Sequence, residues 1–159
     1  GSDLIVDAVA AIKEYGAPVI VIDMGTATTM SVVDAKGNYV GGVILPGIRV
    51  SVDALVSRTA QLSRISLEAP GHVIGKNTLD CMKSGVIYGN ASCIDGMIDR
   101  LAGELGVKLA EEEDKPGNMR VIATGGLAGV IVPECRHEIT VDQALLLKGL
   151  KIIYDKNIE

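Results

Sequence analysis

Apolar positions change period several times along the chain, and each change marks an element. Residues 3–15, DLIVDAVAAIKEY, are rich in helix formers, with Gly16 as a stop and Ser2 or Asp3 as the cap. PVIVID (18–23) is a short β-branched run, too apolar for an exposed strand. TMSVVD (29–34) and YVGGVIL (39–45) follow as strands around the turn AKGN, and Pro46-Gly47 closes a three-stranded meander. Residues 48–61 predict a helix with Val50, Leu55, Val56 and Ala60 on one side, before a loop carrying Pro70, Gly71 and Gly75. From Asn77 to Gly106 the pattern is helical: Ile87, Ala91, Ile94, Ile98, Leu101 and Leu105 recur at spacings of three and four. Ser84, Gly85, Gly89, Ala91 and Ser92 keep part of that helix thin, which suits either a helix–helix or subunit contact or ordinary packing on the sheet. EEED (111–114) is a solvated connection. MRVIAT (119–124) predicts a strand, GGLAGVIV a glycine-rich turn into a helix, HEIT (137–140) a last short strand and ALLLKGLKIIYDK (144–156) a closing helix. This order predicts an α/β fold with a mixed sheet.

Composition narrows the picture. The 159 residues suit one domain, and 48% of them are apolar with no Phe or Trp, so the core is aliphatic. A formal net charge of -5 argues against general affinity for nucleic acid or an anionic membrane. No apolar stretch approaches the roughly 20 residues of a membrane span, and no signal peptide is visible. Cys81, Cys93 and Cys135 lack paired spacing, and His72 and His137 form no ligand pattern with them, so reduced thiols in a cytoplasmic protein are expected rather than disulfides or zinc.

The chemistry concentrates in D-M-G-T-A-T-T (23–29). A strand that ends in an acid and a glycine and turns straight back into a strand is a hairpin. Its backbone N–H groups and threonine hydroxyls form a concave set of donors suited to phosphate oxygens. Asp23 at the strand end suits a cation that offsets phosphate charge. A plain β-turn with strand-favouring threonines is the competing explanation. G-K-N-T (75–78) fails as a Walker loop in both glycine spacing and the residue after lysine. T-G-G-L-A-G (124–129) lacks the dinucleotide spacing but follows a strand and opens a helix, so nucleotide contact there is physically reasonable.

Taken in order, G-S-D (1–3), D-M-G-T-A-T-T (23–29), G-G-V-I-L-P-G (41–47), G-K-N-T (75–78), T-G-G-L-A (124–128) and L-K-G-L (147–150) resemble the type III pantothenate kinase family. That family belongs to the acetate kinase/hexokinase/actin-like superfamily. The resemblance implies a ribonuclease H-like (actin-like ATPase) lobe, a mixed five-stranded sheet flanked by helices. It spans residues 1–159 as a single domain, the second lobe of a two-lobe kinase. The family's first phosphate hairpin, D-x-G-N-T, is absent, so an upstream lobe of about 100 residues is expected to be missing. The isolated chain is then expected to be poorly active.

The resemblance also implies roles. Asp3 matches the proposed general base, whereas the residues by themselves favour a simple helix N-cap. Gly1, Ser2, Asp3 and Leu4 take the pantothenate-site positions, with Leu4 departing from the family's arginine, and Thr78 matches a substrate-contacting threonine. Asp23 matches a monovalent-cation ligand (K⁺ or NH₄⁺). Gly25 and Thr26 match the ATP-contacting hairpin, and Gly125 and Gly126 the adenosine side. The implied reaction is phosphoryl transfer from ATP, with Mg²⁺ on the phosphates, to the primary hydroxyl of pantothenate, the first step of coenzyme A biosynthesis. A cytoplasmic homodimer is expected. The alternative is a non-catalytic relative, regulatory like Bvg accessory factor or serving assembly alone.

Overall fold

The computed structural model describes residues 2–59 and 65–158. A five-stranded mixed sheet forms its centre, ordered β3-β2-β1-β4-β5. β1 (Val19–Met24), β2 (Ala27–Val33) and β3 (Tyr39–Pro46) make the antiparallel meander. β4 (Arg120–Thr124) pairs parallel with β1, and β5 (Thr140–Val141) parallel with β4. β1 is central and covered on both faces, which is why its sequence is an unbroken apolar run rather than an alternation.

The alternation of its side chains divides the core in two. Val19 and Val21 face Ala8, Ala11 and Leu145, from α1 (Ser2–Tyr15) and α5 (Leu145–Asn157). Ile20, Ile22 and Met24 face the larger cluster under α2 (Ile48–Arg58), α3 (Thr78–Leu105) and α4 (Ala128–Ile131). Within α3, Ile87, Ala91, Ile94 and Ile98 are buried as their spacing predicts. Asn77 caps α3, its side chain accepting from Asp80 N at 2.9 Å, and Gly106 ends it at φ 66°. All three cysteines are free, as expected. Among the described residues no helix is long and apolar enough to cross a membrane.

Several elements differ from the sequence expectation. Ser2 and Asp3 lie inside α1, so neither is its cap. β2 begins at Ala27 because the tip needs only Gly25 and Thr26, closed by Gly25 N donating to Ala27 O at 3.1 Å. α2 turns Ile48 and Val52 inward and leaves Val50 and Leu55 exposed, because the face toward the sheet is the 48/52/56 row. Ala60 lies outside the described residues. The helix after T-G-G is only four residues, followed by a 3-10 turn (Val132–Glu134) that carries Pro133. The last strand is Thr140–Val141, not 137–140. Residues 136 and 137 are instead drawn to α3, where Asp95 accepts from both their backbone N–H groups. The thin part of α3 is divided: Ala91 is in the core, Ser84 donates to Val73 O, and Gly85 and Gly89 meet nothing within the chain.

Candidate active site

Three carboxyl groups converge at the end of the sheet where β1 stops. The row Val19–Val21 on the α1 face continues to Asp23, and α1, running back along β1, begins at the same end. Asp3 lies in the first turn of α1 and Asp7 one turn later on the same face. Asp3 is exposed, whereas Asp7 is 2% exposed. Burial raises the Asp7 carboxyl to about 6, helped by the negative charges of Asp23 and then Asp3. Burial, then Asp3, pushes Asp23 up as well. The structure thus brings together the two aspartates singled out in the sequence and adds a third. In the sequence Asp7 reads as part of a run of helix formers; its signal is an acid at i+4 from Asp3, flanked by Val6 and Ala8, which face the core.

Neighbouring strands extend this polar patch. Thr29 of β2 and Thr124 of β4 sit directly opposite Asp23 in register. The Thr29 hydroxyl and one oxygen of Asp7, Oδ1, are buried without a hydrogen-bond partner among the described residues. In an interior where more than nine polar groups in ten are paired, two orphans beside three acids mark a place short of donors or positive charge.

Glycines fuse the loops around the hairpin. A Cβ on Gly47 would lie 1.9 Å from Thr26 O, so the Pro46-Gly47 turn is pressed against the hairpin tip. Gly125 has φ +99° and a Cβ there would meet Met24 N at 2.6 Å, so the T-G-G turn is pressed against the end of β1. Gln143 Nε2 donates to Gly125 O at 2.8 Å and ties in the start of α5. A Cβ at Gly25 would stand 3.5 Å from Asp23 Oδ1, which puts that carboxylate against the tip itself. Between these loops opens a cavity of about 290 Å³ lined by Met24, Gly25, Thr26, Arg49, Gly126 and Leu127, among others. α4 is too short to supply a useful helix dipole, so what the T-G-G turn offers is its exposed backbone at Gly126.

Other predicted positions fall elsewhere. Leu4 is half-buried and Ser2 exposed on α1, and Gly1 lies outside the described residues. Thr78 is exposed at the start of α3 and lines a separate cavity of about 670 Å³ with Lys76, Asn77, Cys81 and the α2 residues Ser51 and Leu55. The two cavities share no lining residue but both border α2, the hairpin cavity at Arg49 and Val50 and the Thr78 cavity at Ser51 and Leu55. Among the described residues no three His, Cys, Asp or Glu side chains could together hold a metal ion. Asp23 with the orphan Thr29 hydroxyl is a hard oxygen set that fits a singly charged cation, whose charge the patch lacks.

The family model described as type III pantothenate kinase matches residues 1–100. Curated relatives carrying that name include one from Streptomyces coelicolor, 46% identical over 158 residues, 99% of this chain and 57% of the relative. Another, from Halalkalibacterium halodurans, is 48% identical over 158 residues, 99% of this chain and 58% of the relative. The chain therefore spans less than two thirds of these relatives' length. Among solved structures, a Baf family transcriptional activator from Campylobacter jejuni aligns over 96% of this chain and 64% of its own, with TM-score 0.58 and 24% identity. Component A of (R)-2-hydroxyglutaryl-CoA dehydratase from Acidaminococcus fermentans aligns over 92% of this chain and 64% of its own, with TM-score 0.50 and 17% identity. At those identities the likeness shows the fold alone, a mixed five-stranded sheet flanked by helices. The family match over residues 1–100 and the high identity across 99% of the sequence make this chain a member of the type III pantothenate kinase family.

Proposed function

We propose that the protein transfers the γ-phosphoryl group of ATP to the primary hydroxyl of pantothenate, and that this chain is the lobe carrying the acid–base group. The observation that carries the reading is the meeting of exposed Asp3 with Asp23 beside the glycine-fused hairpin cavity. Asp3 takes the hydroxyl proton. Its exposure at a helix start lets it reach a bound alcohol, and buried Asp7 does not have that access. The Thr26 hydroxyl and the backbone around Gly25 and Gly126 face the phosphates and adenosine. Rigid glycine contacts keep these donors in place, which matters because phosphoryl transfer is mainly positioning and charge stabilisation. Mg²⁺ would neutralise phosphate charge, and Asp23 with Thr29 would hold the monovalent cation. Ser2, Leu4 and, from its own cavity, Thr78 are the candidate pantothenate contacts.

The test is a coupled assay with ATP and pantothenate on the full-length protein, this lobe joined to the rest of the length its relatives have, and on the Asp3→Asn variant of it. The expected result is turnover that falls at least 100-fold in Asp3→Asn, with ATP binding retained. Equal turnover in both proteins would remove Asp3 from the mechanism; no turnover in the parent, despite bound ATP, would favour a regulatory relative.

A further inference from the structure

We infer that Arg49 is a phosphate-binding residue of the hairpin cavity, its guanidinium gripping oxygens of the phosphoryl group that is transferred. The inference deepens the phosphotransfer reading and rests on it for the reaction, though not for the binding of an anion.

Geometry comes first. Among the described residues Arg49 is the one charged residue that lines the cavity, which it shares with Gly25, Thr26 and Gly126. Its position is fixed by the backbone: Gly47, two residues earlier, is pressed onto Thr26 so closely that no Cβ fits between them. A shift of α2 relative to the hairpin would have to break that contact. A guanidinium two residues beyond it is therefore carried on a rigid mount while its own side chain stays exposed.

The charge of Arg49 is also unspent. Among the described residues no ion pair or hydrogen bond of Arg49 is seen, and it borders a small cavity of about 110 Å³ together with Asp53, one turn along α2. The first turn of α2 holds no acid, and Gly47 provides no side-chain cap, so the helix start adds its positive end to the arginine. A phosphate group meets these requirements: planar N–H donors pair with two of its oxygens, and Thr26 offers a third donor.

In the transfer step the bond from the γ-phosphorus to the β,γ-bridging oxygen breaks and a bond to the substrate hydroxyl oxygen forms. The hydroxyl proton passes to Asp3, and ADP leaves with the electron pair of the broken bond. Arg49 exchanges no proton and stabilises the charge spread over the phosphoryl oxygens.

The experiment titrates inorganic pyrophosphate, and separately ATP, into the protein and into Arg49→Met, Arg49→Lys and the control Arg58→Met, by calorimetry at low salt, with pantothenate kinetics alongside. Arg58 lies on the same helix, exposed, in its last turn. The expected outcome is at least tenfold weaker pyrophosphate binding for Arg49→Met, partial recovery with lysine, no change for Arg58→Met, and unchanged melting of all four. Kinetics should show kcat falling with KM for ATP rising only in the Arg49 variants. Equal binding by the parent and Arg49→Met, equal loss in Arg58→Met, or no pyrophosphate binding by the parent would each overturn the inference. If Arg49 governs pyrophosphate affinity but pantothenate is not phosphorylated, the proposed function fails and the anion site stands; the reverse pattern leaves the function and removes Arg49.

Discussion

Asp7 and His137 are the residues whose surroundings say most about this chain at the scale of single side chains. Asp7 is buried, short of a partner, and raised to about 6. An acid raised on folding costs nothing below its unfolded value near 4; its penalty grows as pH rises and is complete above about 6. Asp7→Asn is accordingly expected to stabilise the protein by roughly 2–3 kcal/mol at pH 8 and by almost nothing at pH 4, read by urea unfolding at the two values. His137 shows the opposite dependence. Burial opposes its charge, but Glu111 at Nδ1 and Asp99 at Nε2, the latter at 2.7 Å, outweigh it and raise its pKa. Stability from that imidazolium is fully present below the unfolded value near 6.5 and is lost as pH climbs through the raised folded value. His137→Gln should thus cost about 1 kcal/mol at pH 6 and progressively less toward pH 9, visible as converging melting temperatures. Neither residue's role was legible in the sequence, because both depend on groups brought in from other elements: Asp23 from β1, Asp99 from α3, Glu111 from the 109–118 connection.

Between elements, backbone-to-backbone approach decides the packing. α5 lies on α1 through Gly149, where a Cβ would come within 2.2 Å of Val6 O. A second tie joins the same helices at the other end: Tyr15 Oη donates to Asp142 Oδ2 at 2.7 Å, and Lys148 bridges Asp142 and Glu14. Alanine is the better helix former by about 1 kcal/mol, so propensity alone predicts a gain from Gly149→Ala. The contact predicts the reverse, a loss of about 1–3 kcal/mol in urea unfolding as α5 is pushed away from α1. A stabilised Gly149→Ala would show that the helices are free to slide. The sequence displayed L-K-G-L plainly enough, but a glycine in a helical pattern reads as a weakness until the strand or helix beneath it is known.

For the whole molecule, the arrangement is polarised. The acids, the hairpin tip, the start of α2 and the T-G-G turn gather at one end of the sheet, while α3 presents Gly85 and Gly89 to open space. A homodimer through that face would cover it with a second backbone. Gly89→Leu is then expected to stabilise the single chain by about 0.5–1 kcal/mol, because leucine is the better helix former and no described atom lies within 4 Å of a Cβ there, and to convert a dimer into a monomer in sedimentation. A monomeric parent at high concentration would end the dimer proposal, and an unfolded Gly89→Leu would contradict the open space.

What the sequence by itself determined was whatever is written in local periodicity and short turns: the helix–meander–helix order, the two-sided burial of β1, the Asn77 and Gly106 ends of α3, and the hairpin with its acid. Those signals are carried by neighbours within a few residues, so they survive without a fold. The family motifs lie in the same class, since each is contiguous. Tertiary structure alone decided that α2 turns Ile48 and Val52 inward, that Asp7 joins Asp3 and Asp23, that Arg49 overlooks the hairpin cavity, and that Thr78 lines a different one. Each of these depends on which surfaces meet across the sheet, and contact between residues far apart in the chain leaves no periodic trace in either of them.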